Sequence, residues 1–165
     1  MSVDVLDESG TGVDVGEIAR LARFVMARLR LHPGTEVCVR LVDEATITTL
    51  NERWMDAHGP TDVLAFPMDE LTPRDPDDHP DEGYLGDIAL CPQVAVRQAS
   101  EQGHATLDEL RLLTVHGVLH LMGYDHADPD EHATMFSLQA RLLAEWQGVI
   151  SGDSVEQPLV QGGSV

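Results

Sequence analysis

The chain has 165 residues and a mass of 18.0 kDa, one domain's length with room for a single core. Its basic residues are all Arg, 10 against 29 acidic residues, which gives a formal charge of −19 and a pI near 4.4. A hydrophobic fraction of 42% excludes a wholly disordered acidic chain, and no apolar run reaches the ~18 residues that a bilayer span needs.

The N-terminus lacks a basic stretch followed by an apolar one, so secretion by that route is not expected. Cys38 and Cys91 make no disulfide framework and read as two buried thiols in a reducing cytoplasm. At face value, the charge also argues against a nucleic-acid partner, because phosphate binding draws on Lys and Arg.

Residues 1–9 read as a short strand, followed by a turn at 9–12. Between Gly16 and Leu31, the residues Ile18, Leu21, Ala22, Val25, Met26 and Leu29 recur at helical spacing. His32-Pro33-Gly34 ends that helix. Alternation over Glu36 to Val42 predicts a strand. Asp43 is placed to cap a helix over about 44–53, with Ile47 and Leu50 inward. Asp62 to Met68 reads as a third strand.

Residues 69–83 are rich in Pro and Asp and hold seven acids against one Arg, the composition of a mobile loop. Tyr84 to Cys91 is the last predicted strand. Pro92 suits the first turn of a helix to about Gln102, ended by Gly103. Thr106 with Glu109 reads as a capping box for a helix running to Gly123. A final helix is expected from Asp130 to about Trp146. Strands early and helices late predict an α+β fold in a single domain over 1–147. Residues 148–165 read as a disordered tail.

His116, His120 and His126 carry the chemistry. The first two lie four apart on a predicted helix, which sets both imidazoles on one face. Gly123 can take the left-handed conformation that stops the helix and turns the chain, letting His126 fold back. Three neutral nitrogen donors at one point suit Zn²⁺, one ion per chain, with a fourth position open to water. Asp125 adjoins the third ligand. Orienting a ligand or capping the turn comes first among its readings, with the catalytic base as the third. His32, His58, His79 and His132 read as solvated residues, and His104 as a connector. The spacing HxxxHxxGxxH also fits metzincin proteases, but those carry Glu beside the first His, where this chain has Gly117. A protease reading therefore lacks its proton acceptor.

The run HGVLHLMGYDH (116–126) resembles the signature of the YbeY family, bacterial metal-dependent endoribonucleases of ribosomal RNA maturation. GPTDVLAFP (59–67) resembles that family's PTDVLSFP segment, with Ala65 at the usual Ser. LGDIALC (85–91) resembles its LGDI strand, and the likeness extends over roughly 35–126. The resemblance implies one mixed, mainly four-stranded sheet packed with about five helices, and a zincin-like three-His metal site. It implies a zinc-dependent endoribonuclease that cleaves single-stranded RNA in the cytoplasm. The expected roles are maturation of the 3′ end of small-subunit ribosomal RNA and ribosome quality control. The expected partners are that RNA, the small ribosomal subunit and its assembly factors, with no membrane.

One position departs from the family pattern. Many members carry an Arg just after the aromatic of an N-x-x-aromatic segment, thought to help hold phosphate. Here the segment is Asn51-Glu52-Arg53-Trp54-Met55, so that position is Met55. Arg53 is the candidate substitute, although on a helix it points roughly 160° away. Trp54 is a candidate to stack on a base, with a buried anchor as its alternative. Asp87, in the LGDI strand, is expected to hold that strand against the metal helix. Two other classes stay open: a zinc hydrolase acting on peptides or small molecules, and a non-catalytic ribosome-assembly factor with structural zinc.

The charge is unevenly spread. Residues 16–53 hold six Arg and five acids, whereas 69–83 are strongly acidic. Arg20, Arg23 and Arg30 fall near one side of the first predicted helix and form a candidate positive strip facing the cleft.

Overall fold

The computed structural model describes residues 1–68, 83–125 and 127–152. The acidic segment 69–82, with His79, and the C-terminal stretch 153–165 lie outside the described residues, as does His126. The elements in chain order are β1 (Ser2–Asp7), α1 (Val15–Arg28), β2 (Glu36–Leu41), α2 (Glu44–Trp54), β3 (Val63–Pro67) and β4 (Tyr84–Leu90). Then come α3 (Pro92–Gln102), α4 (Thr106–Leu121) and α5 (Pro129–Ser151). The expected α+β fold is present, with five helices and one mixed four-stranded sheet among the described residues.

The sheet order is β1-β2-β4-β3, with β3 antiparallel to β4 and the other pairs parallel. Alternation along the strands divides the side chains between two faces. Val37, Val39 and Leu41 of β2 join Leu85, Ile88 and Leu90 of β4 under α1, α4 and α5. On the other face, Leu64, Phe66 and Ala89 pack with Ile47 and Leu50 of α2 in a smaller cluster. Helix α4 lies in the middle, against α1, α3, α5, β3 and β4. It is therefore apolar around most of its circumference, with Leu113, Val115, Val118 and Leu119 all buried. An ion-pair network ties α1, α4 and α5 together. The Arg111 guanidinium donates to Glu17 Oε2 from Nε at 2.9 Å, and Trp146 Nε1 donates to the same oxygen at 3.4 Å.

Several expectations are corrected. Helix α1 ends at Arg28, short of Leu31, because Arg30 takes a left-handed backbone with φ 60 and its N–H closes onto Ala27 O. The capping box fails: Ala105 holds the N-cap position, and Glu109 turns its carboxylate to His104 Nε2 at 2.6 Å. That contact makes His104 the connector it was expected to be. Helix α5 starts behind an Asp128 cap and runs to Ser151, past residue 147, because Val149 still packs on the core; Gly152 ends it with φ 84. Asp87 does not hold β4 against α4. It shares a sheet face with its strand partner Phe66 and accepts from the Tyr84 hydroxyl, while its neighbour Ile88 meets α4. Burial and the nearby Asp87 charge hold that hydroxyl's pKa well above the ordinary tyrosine range. The cysteines are both free, Cys91 buried and Cys38 half-buried.

Gly86 sits where β4 meets both β3 and the end of α4. It has φ 148, and a Cβ there would lie 2.3 Å from Phe66 O and 2.8 Å from Leu121 Cδ2. Gly86→Ala must push β3 or the end of α4 aside. We expect a loss of roughly 1–3 kcal/mol, read as a lower urea midpoint at unchanged slope.

Candidate active site

His116 and His120 are the half-buried exceptions on the last two turns of a buried helix. Their Nε2 atoms stand 3.0 Å apart, with ring centroids at 4.5 Å and planes at 75°. Two nitrogens each ~2.0–2.1 Å from a tetrahedral zinc ion would be ~3.3 Å apart, so the pair has the right chemistry and spacing for two ligands of one ion. Among the described residues, no group of three metal-ligating side chains forms; His126 is not one of those residues.

Gln139 fixes one of the rings. Its side chain comes from α5, is 4% exposed, and sets Oε1 2.8 Å from His116 Nδ1. An amide oxygen only accepts, so Nδ1 carries the proton and the Nε2 lone pair is turned toward His120. Phe136, three residues earlier on α5, packs against His116 at 5.8 Å between centroids and stacks on His132 at 4.3 Å. Gln139 was missed in the sequence. The signal was a polar residue in the apolar stripe of α5, in step with Met135, Leu142 and Trp146, the other buried positions of that helix.

The histidines open onto a cleft of about 380 Å³ between α4 and β3, lined also by Met55, Asp62, Ala65 and Gly117. Strand β3 is a sheet edge and forms one wall. Ala65, at the position of the family's usual Ser, pairs with Ile88 and so faces α4. Gly117 stands where the protease motif has Glu: a Cβ there would meet Ile88 Cγ2 at 3.0 Å, so a side chain fits only if Ile88 gives way. Asp62 is the one carboxylate among the described cleft residues. Its Oδ1 accepts from Val63 N at 2.7 Å and from the Thr61 hydroxyl at 3.3 Å. Asn51, 7% exposed, anchors the approach to this segment by donating to Gly59 O at 3.0 Å.

Other candidates fall elsewhere. Asp125 is exposed and lines a neighbouring pocket with Asp130, Glu131 and Tyr124. There the negative charges of Asp128 and Asp125 help raise the Glu131 carboxyl above its ordinary value. Met55, not Arg53 or Trp54, is the residue of that segment that lines the cleft. Trp54 is 61% exposed and therefore no core anchor, and the Arg53 guanidinium lies 5.2 Å from its ring centroid. No Arg lines the cleft among the described residues. The expected strip does not face it: α1 packs on β1, α4 and α5, at the other side of the sheet from β3, and Arg30 has left the helix.

Comparison with known proteins converges on one family. The family description "Endoribonuclease YbeY" matches residues 7–147. A Nocardioides protein named endoribonuclease YbeY is 59% identical over 147 residues, covering 89% of this chain and 99% of its own. A Thermobifida fusca protein of the same name is 56% identical, covering 89% of this chain and 95% of its own. A solution structure of a Thermotoga maritima protein superposes with a TM-score of 0.59 at 28% identity, covering 94% of this chain and 98% of that one.

The Gln139 contact makes a prediction independent of any metal. Nitrogen-15 NMR of the chelator-treated protein at pH 8 should show His116 with its proton on Nδ1. Gln139→Leu should return it to the mixture of tautomers seen in free imidazole.

Proposed function

The chain belongs to the YbeY endoribonuclease family, and from that premise we propose that it is a zinc-dependent endoribonuclease specific for single-stranded RNA. The observation that supports this most is the His116–His120 pair, 3.0 Å between Nε2 atoms, at the wall of an edge-strand cleft with one ring fixed by Gln139. His116, His120 and His126 would hold the metal. When bound, zinc would supply a Lewis acid that polarises the phosphodiester and lowers the pKa of coordinated water toward ~7.

The rest is work for the chain itself. Gln139 keeps His116 in its donor tautomer. The edge of β3 offers backbone donors and acceptors along one wall, against which an extended strand can lie. Trp54, exposed beside the Met55 rim, stacks on a base, with Arg53 held over its ring to meet phosphate. Asp125 remains the candidate base, and Asp62 joins it as a carboxylate already within the cleft. The substrate we propose is the 3′ end of small-subunit ribosomal RNA, cleaved in the cytoplasm during maturation and quality control. Docking on the small subunit and its assembly factors would supply affinity that a chain of charge −19 cannot draw from long-range attraction. No described helix is long and apolar enough to cross a membrane.

Three results would test this. Metal-replete protein should cut single-stranded RNA and leave a panel of peptides intact. His120→Ala should retain less than ~1% of that cleavage. Gln139→Leu should weaken zinc affinity about 10–100-fold in a chelator competition while the fold persists. RNA cleavage at the wild-type rate by His120→Ala would remove the metal from the mechanism.

A further inference from the structure

A second concavity lies away from the His cleft. It is a cavity of about 570 Å³ between the end of α1 and the middle of α5, lined by Arg28, Arg30, Arg141, Ser137, Thr134 and Tyr124. Three of the chain's 10 basic residues meet at this one cavity. Arg28 is already paired, its Nε and Nη2 donating to Glu145 at 2.9 and 3.0 Å. Arg30 and Arg141 are in no ion pair among the described residues, although the chain carries 29 acids. Elsewhere Arg40, Arg97 and Arg111 have each found a carboxylate.

Arg30 reaches the cavity from a left-handed backbone, φ 60, which residues other than Gly and Asn seldom adopt. The guanidinium forks and the flanking hydroxyls are all donors suited to phosphate oxygens. Acidic side chains stand close by: Asp125, Asp130 and Glu131 line the adjoining pocket, which shares Tyr124 and Thr134 with this one. A phosphate must therefore approach from the α1 side.

Helix α5 stands between this cavity and the histidines. Ser137 and Arg141 lie two residues either side of Gln139, so they project about 200° around the helix from the residue that bonds His116. At least one helix diameter, roughly 10–12 Å, therefore lies between the two sites, a span that a few nucleotides cover.

We propose that Arg28, Arg30 and Arg141 form a second phosphate site, which holds a backbone phosphate of the RNA a few nucleotides from the scissile bond. This rests on the endoribonuclease reading above. It assigns to the α1–α5 cavity the positive charge missing from the described lining of the His cleft.

The test uses Arg30→Asn with Arg141→Gln in the full chain. Asn tolerates the left-handed backbone and Gln suits a helix interior, so both charges go without strain. Binding of a labelled single-stranded oligoribonucleotide is measured against salt on a His116→Ala background, which keeps the RNA intact. Losing that one phosphate contact should flatten the slope of log affinity on log salt by about 0.7. Affinity at low salt should fall about ten-fold, and in the catalytically intact chain KM should rise while kcat holds. Arg97→Gln, paired on α3, should change neither. Inorganic phosphate should compete with RNA for the parent chain and lose that competition in the double variant.

An unchanged salt slope overturns the proposal. So does a variant that loses phosphate binding yet keeps full RNA affinity, since the occupant would then be free phosphate. If the metal-replete wild type cuts no RNA while the slope still flattens, the endoribonuclease reading fails and the phosphate site stands.

Discussion

Burial of helix α4 on nearly every side decides which of its residues can do chemistry. A helix packed between a sheet and three other helices must be apolar around most of its surface, and here it is. Polar side chains survive only where the packing opens or where each finds a partner. His116 and His120 occupy the opening beside edge strand β3, and Gln139 from α5 satisfies the ring that is pressed back into the core. The same packing crowds position 117, where an added Cβ would lie 3.0 Å from Ile88 Cγ2. One constraint therefore fixes the donor pair and disfavours a side chain at position 117.

The close approach of β4 to α4 is carried by small residues. Gly86 and Gly117 let Phe66, Leu121 and Ile88 come within contact distance, which sets the cleft's depth. Asn51 and Asp62 then shape its far rim through hydrogen bonds to the backbone around Gly59 and Val63. These contacts are local and polar, so they hold the loop in place without adding to the hydrophobic core.

Much of this was legible in the sequence, because periodicity reports burial. The four strands, five helices and the His116–His120 face follow from spacing together with cap and breaker residues, and the Asp43 cap behaved as its chemistry predicts. Features set by long-range contact were not legible. Glu109 serves His104, not the helix start, because that histidine folds within 2.6 Å of it. Asp87 faces away from α4 because an irregularity in the β2–β4 register leaves Leu85 without a partner, setting the face of each residue that follows. Gln139 reads as an oddity in an apolar stripe until α5 is seen against α4. Arg30 belongs to α1 by spacing, yet its left-handed backbone delivers it to α5. Net charge was the least informative feature, since the arrangement of ten arginines matters more than their sum.

The central claim is an open histidine metal centre built on α4. X-ray absorption at the zinc edge of the purified, metal-replete protein counts its ligands directly. The account predicts one ion per chain with three histidine nitrogens at ~2.0–2.1 Å and one oxygen. Four protein ligands closing the ion, or no bound metal at saturating zinc, would contradict it.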